Sequence, residues 1–378
     1  MNLQTVRIRR LAGAQPATPV LSVVVPTYNE ECNLVPLIAG LETALASIEW
    51  EVIFADDNSP DGTHRLAKRI ACGNPRVRCL RRVGRRGLAG ACIDGILSSS
   101  APYVAVMDGD LQHDEAVLLR MLHRLEDGDA DIVVGTRYRD GGSALGLSGY
   151  RRDVSRIANT LTRTLLGVRL SDPMSGFFMI RRERFEDIAP ELSHEGFKVL
   201  LDLLATARGR LTVAEEPYEF RPRNSGQSKF DLRVVLEFLG LIAAKLSGGV
   251  IEPRFVPYAL VGALGLLVHL AALRAWLEFG GLNFEISQTL ATAVALLANF
   301  IVNNTLTYKD LRLRGSGFLT GLAIYAAICS IGFVANIGVA GWLYSERPVW
   351  WMAGAAGALI GSVWNYAMSS RLVWHLRR

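Results

Sequence analysis

Between Leu21 and about Phe220, short runs of β-branched and other apolar residues alternate with stretches of helical period. That pattern is the signature of an α/β unit built on a mostly parallel sheet. The predicted strands cover 21–25, 51–55, 77–80, 103–107 and 131–134, and each of the first four is followed by a helix-like stretch. From 231 to 246 the period is helical, with Arg233, Glu237, Gly240 and Ala244 on one narrow face and mostly Leu, Val, Ile and Phe elsewhere. An amphipathic connector lying on a membrane surface is expected there, with a buried helix of the α/β unit as the alternative. Four apolar stretches follow, at about 255–277, 285–306, 318–344 and 349–372, each reaching the ~20 residues that cross a ~30 Å hydrocarbon core. The run from Asn299 to Tyr308 lines up with the run from Asn365 to Trp374, each closing the second helix of a pair, so two helical hairpins are related in sequence. Asn299, Asn303 and Asn365 are expected to meet other helices, because polar groups in such spans are costly unless they face one another.

Charge sharpens this division. The chain has 41 Lys plus Arg against 36 Asp plus Glu, and only Glu278, Glu285, Asp310 and Glu346 of those acids lie beyond Phe255. The front is built for water and the tail for lipid, so a disordered or collagen-like chain is excluded. The modest net charge of +5 points to anionic lipid headgroups before nucleic acid. Lys309, Arg312 and Arg314 lie between the second and third spans, and Arg371, Arg377 and Arg378 close the chain. By the positive-inside rule both termini and the α/β unit are expected in the cytosol. Five cysteines without a Cys-x-x-Cys pair read as free thiols of a reducing compartment. The first twenty residues carry Pro16 and Pro19 where a signal peptide would be apolar. The predicted organisation is a flexible extension over 1–20, an α/β catalytic domain over 21–230, a connector over 231–254 and an all-α domain of four transmembrane helices over 255–378.

Candidate chemistry gathers where ligands bind in open α/β sheets, at the carboxyl ends of strands. Pro26-Thr27-Tyr28-Asn29-Glu30 follows the first predicted strand, Asp56-Asp57-Asn58-Ser59-Pro60-Asp61-Gly62-Thr63 the second, and Asp108-Gly109-Asp110-Leu111-Gln112-His113 the fourth. Asp108, Asp110 and Gln112 alternate, so a turn at the strand end brings three hard oxygen donors toward one point, a set suited to Mg²⁺ or Mn²⁺. Such an ion usually completes its shell with phosphate oxygens, which implies a nucleotide substrate. One Asp-x-Asp is weak, because surface turns carry such pairs by chance. Three clusters at successive strand ends are a stronger signal.

In these residues the sequence resembles the family 2 glycosyltransferases of the GT-A (Rossmann-like) fold, and among them the polyprenyl-phosphate (dolichyl-phosphate) mannose synthases. Further motifs of the resemblance are Gly135-Thr136-Arg137-Tyr138, Asp172-Pro173-Met174-Ser175-Gly176-Phe177 and Phe220-x-x-Arg223-x-x-Gly226-x-Ser228-Lys229. The tail resembles the GtrA-like four-helix domain. Where the subgroup often has His-Pro-Pro, this chain reads His113-Asp114-Glu115, a change expected to alter a helix start and leave the metal site intact. The resemblance implies Pro26, Tyr28, Glu30 and Asp57 around the nucleoside, and Asp108, Asp110 and Gln112 on the metal. It implies Arg137, Arg151 and Arg223, with Lys229, on phosphate groups, for which guanidinium geometry is suited. Asp110, Arg137, Arg151 and Arg223 are the expected catalytic set. The loop over 141–156 is expected to close on the acceptor.

The implied reaction is inverting transfer of mannose from GDP-mannose to a polyprenyl (dolichyl) phosphate at the lipid bilayer. Alternatives are a polyprenyl-phosphate glucose synthase using UDP-glucose, disfavoured only by the run from Asp57 to Thr63, and glycolipid translocation by the tail. Whether the chain forms a homo-oligomer is left open. The glycines from Gly84 to Gly90 lack Gly-x-Gly-x-x-Gly spacing, no nucleophile elbow is visible, and Gln-x-x-Arg-Trp of processive synthases is absent.

Overall fold

The computed structural model describes residues 18–84, 87–138, 160, 162, 164, 170–193, 196, 198–221, 232–346 and 350–374. Seven strands, β1 (Leu21–Thr27), β2 (Trp50–Asp56), β3 (Val77–Arg81), β4 (Tyr103–Val106), β5 (Ile132–Thr136), β6 (Phe178–Arg181) and β7 (Val213–Pro217), form one sheet in the order β3-β2-β1-β4-β6-β5-β7. All neighbours are parallel except at β6, which runs antiparallel to β4 and β5. Every residue of β1 and of β2 is buried, as expected of parallel strands covered on both faces. The two-residue period divides them between two cores. Val24 and Ile53 pack with α3 (Leu88–Leu97) and α6 (Val199–Ala207); Val23, Val25, Val52 and Phe54 pack with α1 (Leu34–Ala44) and α4 (Val117–Glu126). Helices α2 (Thr63–Ala71) and α5 (Arg182–Ile188) complete the layers.

The five predicted strands are present; β6 and β7 were not foreseen. β6 is apolar but only four residues long, Phe-Met-Ile-Arg, and β7 reads Val-Ala-Glu-Glu-Pro at the sheet edge, half-exposed, so the one is too short and the other too polar to stand out. The reversal of β6 matters for function. Its preceding segment, 170–177, arrives at the same sheet edge as the turns that follow β1, β2 and β4.

Helix α7 (Leu232–Leu246) takes the alternative environment. Its Phe238, Leu241 and Ile242 join the core shared by α3 and α6, and Lys245 Nζ lies 2.5 Å from Asp202 Oδ1 and 2.7 Å from Thr206 Oγ1 of α6. Leu239 and Leu246 remain exposed. A Cβ on Gly240 would stand 2.0 Å from the Pro253 carbonyl oxygen, so only glycine admits the returning chain there.

The tail consists of α8 (Phe255–Glu278), α9 (Phe284–Val302), α10 (Ser316–Glu346) and α11 (Trp350–Leu372). Among the described residues, three helices, over 255–278, 286–307 and 316–335, are long and apolar enough to cross a membrane. The fourth expected span falls on the 23-residue α11, packed along α10 but not among those three. The sequence repeat is a repeat of contacts. Asn299 of α9 fills the space over Gly265 of α8, and Asn365 of α11 that over Gly332 of α10; a Cβ on either glycine would stand 2.1 Å from the amide oxygen. Asn303 instead accepts from Thr307 in its own helix, at 2.8 Å. The ends of the two related runs meet directly, the rings of Tyr308 and Trp374 stacking at 4.0 Å.

Candidate active site

The turns after β1 and β2 are laced together by backbone donors. Asn29, at φ 61°, donates to Ser59 Oγ at 3.0 Å, Glu30 to Thr63 Oγ1 at 3.0 Å and Glu31 to Asp61 at 3.2 Å. Fully buried Asp56 anchors the second turn, accepting from Ser59 N at 2.9 Å and from Thr27 Oγ1 at 3.1 Å. The four residues expected at the nucleoside are thereby gathered at one edge: Pro26 buried at the end of β1, Tyr28 and Glu30 half-buried, and Asp57 buried behind β2. Both Asp57 oxygens are engaged, one by Arg82 Nη1 and the other by the Gly87 amide at 2.7 Å, while Arg82 Nε also holds Asp94 at 2.9 Å. Burial raises the Asp57 pKa despite these donors. The link ties the second cluster to the glycine-rich segment after β3.

The third cluster turns sharply after β4. Leu111 sits at φ 63°, a left-handed conformation costly for a branched side chain, and separates Asp110 from Gln112. Asp110 Oδ1 accepts from the Gln112 amide at 3.3 Å, and Gln112 Nε2 donates to the Arg221 carbonyl at 3.0 Å. Asp114 and Glu115, which depart from the expected prolines, receive the Arg221 guanidinium at 2.9 and 3.0 Å. The acidic pair therefore grips the same residue whose backbone orients Gln112, and α4 begins just beyond it at Val117.

Asp108 faces the segment that the reversed β6 delivers. Gly176 leaves room for its carboxylate, since a Cβ there would lie 2.8 Å from Asp108 Oδ2. Arg137 is clamped by fully buried Asp172 through two hydrogen bonds of 2.7 and 3.0 Å and lies 5.1 Å over the Phe220 ring. Burial opposes the Arg137 charge, but the Asp172 carboxylate outweighs it and raises the pKa. Lys198, which precedes α6, was not singled out from sequence, where it is one lysine before an apolar helix. Its Nζ has a long contact of 3.5 Å with the Met174 carbonyl, and burial followed by the nearby Arg137 lowers its pKa. Burial alone would raise the Asp108 pKa; His113 together with the charges of Lys198 and Arg137 holds it below the ordinary range. Arg151, Arg223, Lys229 and the loop over 141–156 lie outside the described residues.

The donors at this edge suit a hard divalent ion: two carboxylates and an amide oxygen. Among the described residues no group of three or more His, Cys, Asp or Glu side chains assembles, so water or phosphate oxygens would complete the shell. The donor set thus fits Mg²⁺ or Mn²⁺ held jointly with a diphosphate.

Residues 22–189 match the model of glycosyl transferase family 2, and residues 257–374 match the GtrA/DPMS transmembrane domain. The dolichol-phosphate mannosyltransferase of Pyrococcus furiosus is 32% identical over 358 residues, which are 94% of this chain and 99% of that protein. The chain belongs to the dolichol-phosphate mannosyltransferase family. The enzymes of that name from Mycosarcoma maydis and Saccharomyces cerevisiae are 36% and 35% identical over 59% and 58% of this chain, and over 78% and 84% of their own lengths. A looser likeness, at TM-score 0.49 and 21% identity over 61% of this chain and 80% of the other, is to glucosyl-3-phosphoglycerate synthase of Mycobacterium tuberculosis. By its family matches and its full-length relative the chain is a glycosyltransferase of GT-A fold joined to a membrane domain.

Proposed function

We propose that this enzyme transfers mannose from GDP-mannose to a polyprenyl phosphate, with inversion at the anomeric carbon, giving polyprenyl-phosphate mannose and GDP. The observation that carries the reading is the meeting of a carboxylate with two cations at one sheet edge: Asp108, in the same turn as Asp110 and Gln112, faces the charges of Arg137 and Lys198. Pro26, Tyr28, Glu30 and Asp57 surround the nucleoside in this reading. Asp108, Asp110 and Gln112 would hold Mg²⁺ or Mn²⁺, which when bound neutralises charge on the departing diphosphate. Arg137 keeps its guanidinium plane fixed through Asp172 and offers its remaining N–H groups to phosphate oxygens. Lys198 contributes a second positive charge nearby, and Arg151, Arg223 and Lys229 complete the phosphate contacts.

The acceptor needs no strong general base, because the second pKa of a phosphate monoester is about 6 and the nucleophile is already anionic near neutral pH. Rate enhancement comes from holding the two reactants in line and from the fixed positive charges. The membrane domain over 255–378 keeps the catalytic domain over 21–230 at the surface where the lipid phosphate lies, with 231–254 between them and both termini cytosolic. A donor panel tests this: each nucleotide sugar is offered with a short polyprenyl phosphate and either metal. GDP-mannose is expected to be turned over in preference. Preference for UDP-glucose would replace mannose by glucose in the assignment. Asp110→Ala is expected to lose at least about 100-fold in rate at saturating metal, and parental turnover would sink the site assignment.

A further inference from the structure

His113 takes part in no step above, yet it is one of the most enclosed polar side chains at the site, 2% exposed. Its ring lies among those of Phe177, Tyr218 and Phe220, with centroids at 5.0, 5.5 and 5.8 Å. Both nitrogens have partners: Nδ1 is 3.0 Å from the Tyr218 hydroxyl and Nε2 is 3.3 Å from Asp108 Oδ2. A carboxylate only accepts, so Nε2 carries the hydrogen toward Asp108. In the neutral ring with its hydrogen on Nε2, Nδ1 is left as an acceptor facing the Tyr218 hydroxyl. In that tautomer, donation runs from Tyr218 through the imidazole to Asp108.

We propose that His113, braced by Tyr218, is a positioning residue that fixes the Asp108 carboxylate in the orientation needed to hold the divalent cation of the sugar nucleotide. This rests on the reading that Asp108 is a cation ligand. Packing alone does not account for the residue. An aliphatic side chain would fill the space among three aromatic rings without the cost of burying an imidazole. Nor is His113 alone in stabilising the carboxylate, since the charges of Lys198 and Arg137 act on it too. What the bond adds is direction. Asp108 Oδ2 is confined on one side by the imidazole and on another by Gly176, and Phe177, the next residue, packs on the imidazole. Phe220 packs on His113 and carries the Arg137 guanidinium, so a single aromatic cluster orients both a carboxylate and a phosphate-binding cation.

The test uses the full chain in detergent and reads Mn²⁺ binding by electron paramagnetic resonance in the presence of GDP, with thermal melting in parallel. His113→Leu retains the apolar packing and removes both hydrogen bonds; Mn²⁺ affinity is expected to fall about 10–100-fold. His113→Gln, whose amide can still donate to Asp108, is expected to recover most of that loss. Tyr218→Phe keeps the rings, removes only the hydroxyl and is expected to weaken binding less than His113→Leu does. Parental affinity in His113→Leu, or equal weakness in the Leu and Gln variants, overturns the inference. If His113→Leu does not fold, Tyr218→Phe decides, and unchanged Mn²⁺ affinity there overturns it. A parent protein that binds no Mn²⁺ with GDP overturns the cation-site reading and this inference together, whereas a parent that binds beside unaffected variants overturns the inference alone.

Discussion

Replacing Gly176 by Ala adds one methyl group where the structure has least room beside a candidate cation ligand. The new Cβ would stand 2.8 Å from Asp108 Oδ2 and 3.3 Å from its Cγ, whereas ordinary van der Waals contact begins near 3.4 Å. Gly176 is not among the glycines of positive φ, so the backbone accepts alanine and the conflict falls on the carboxylate. Asp108 must retreat by about 0.6 Å, the shortfall in that contact. Displacements of ~1 Å in a positioned group cost on the order of 100-fold in rate, so a loss of roughly 10–100-fold is expected, equal to about 1.4–2.7 kcal/mol of transition-state stabilisation. Stability should move far less. The crowded atom is the end of an adjustable side chain, and a Gly to Ala change at a permitted backbone angle gains about 0.4–1 kcal/mol through the unfolded chain. The assay is initial-rate transfer at saturating metal beside a thermal melt of the same preparation. Parental turnover would refute the placement of Asp108 in catalysis. A stability loss of several kcal/mol would instead show that the glycine serves folding.

Lys198→Met is expected to slow transfer and yet to stabilise the ligand-free protein at neutral pH, because burial penalises the ammonium. The sign follows from a folded-state pKa below 10.5: the unfolded chain binds more protons in the interval between the two values, so parental stability rises with pH there. The advantage of the variant should therefore shrink as pH climbs toward 10.5, and melts across that range check it. In the membrane domain, Gly332→Ala would place Cβ 2.1 Å from Asn365 Oδ1 and should cost about 1–3 kcal/mol by overpacking. Adding Asn365→Ala should restore most of the loss, and additive losses in a double-mutant cycle would contradict the contact.

The parts of the fold legible in the sequence are those whose environment is uniform. β1 and β2 are buried along their whole lengths, so their runs of apolar residues announce them. β7 places Glu215 and Glu216 on an edge, where Glu215 accepts from Ser171 at 2.7 Å and Glu216 from Arg120 at 2.7 Å, and an unbroken apolar signal never forms. Helix α7 shows a different limit. Apolar spacing reports that Phe238 and Ile242 avoid water, but lipid and a protein core satisfy them equally. At the candidate site, the gathering of Asp108, Asp110 and Gln112 in one turn past β4 was legible because spacing and position at a strand end are local properties. Lys198 and Tyr218 were not, because they enter only when segments about a hundred residues apart in sequence are folded together, as the contact of 3.0 Å between His113 and Tyr218 shows.

The connection between the two domains is fastened at both ends. Lys245 is held by Asp202 at 2.5 Å on the catalytic side, and the Tyr366 hydroxyl of α11 donates to Glu252 at 2.5 Å on the other. A loose linker of equal length would let the catalytic domain sweep a hemisphere above its anchor. With α7 built into the catalytic core and Glu252 bonded to α11, only a few residues separate the two fastenings, which leaves the catalytic domain little freedom to swivel on its anchor. A domain tethered so closely travels with the helices that hold it, much as a stylus is carried by its arm.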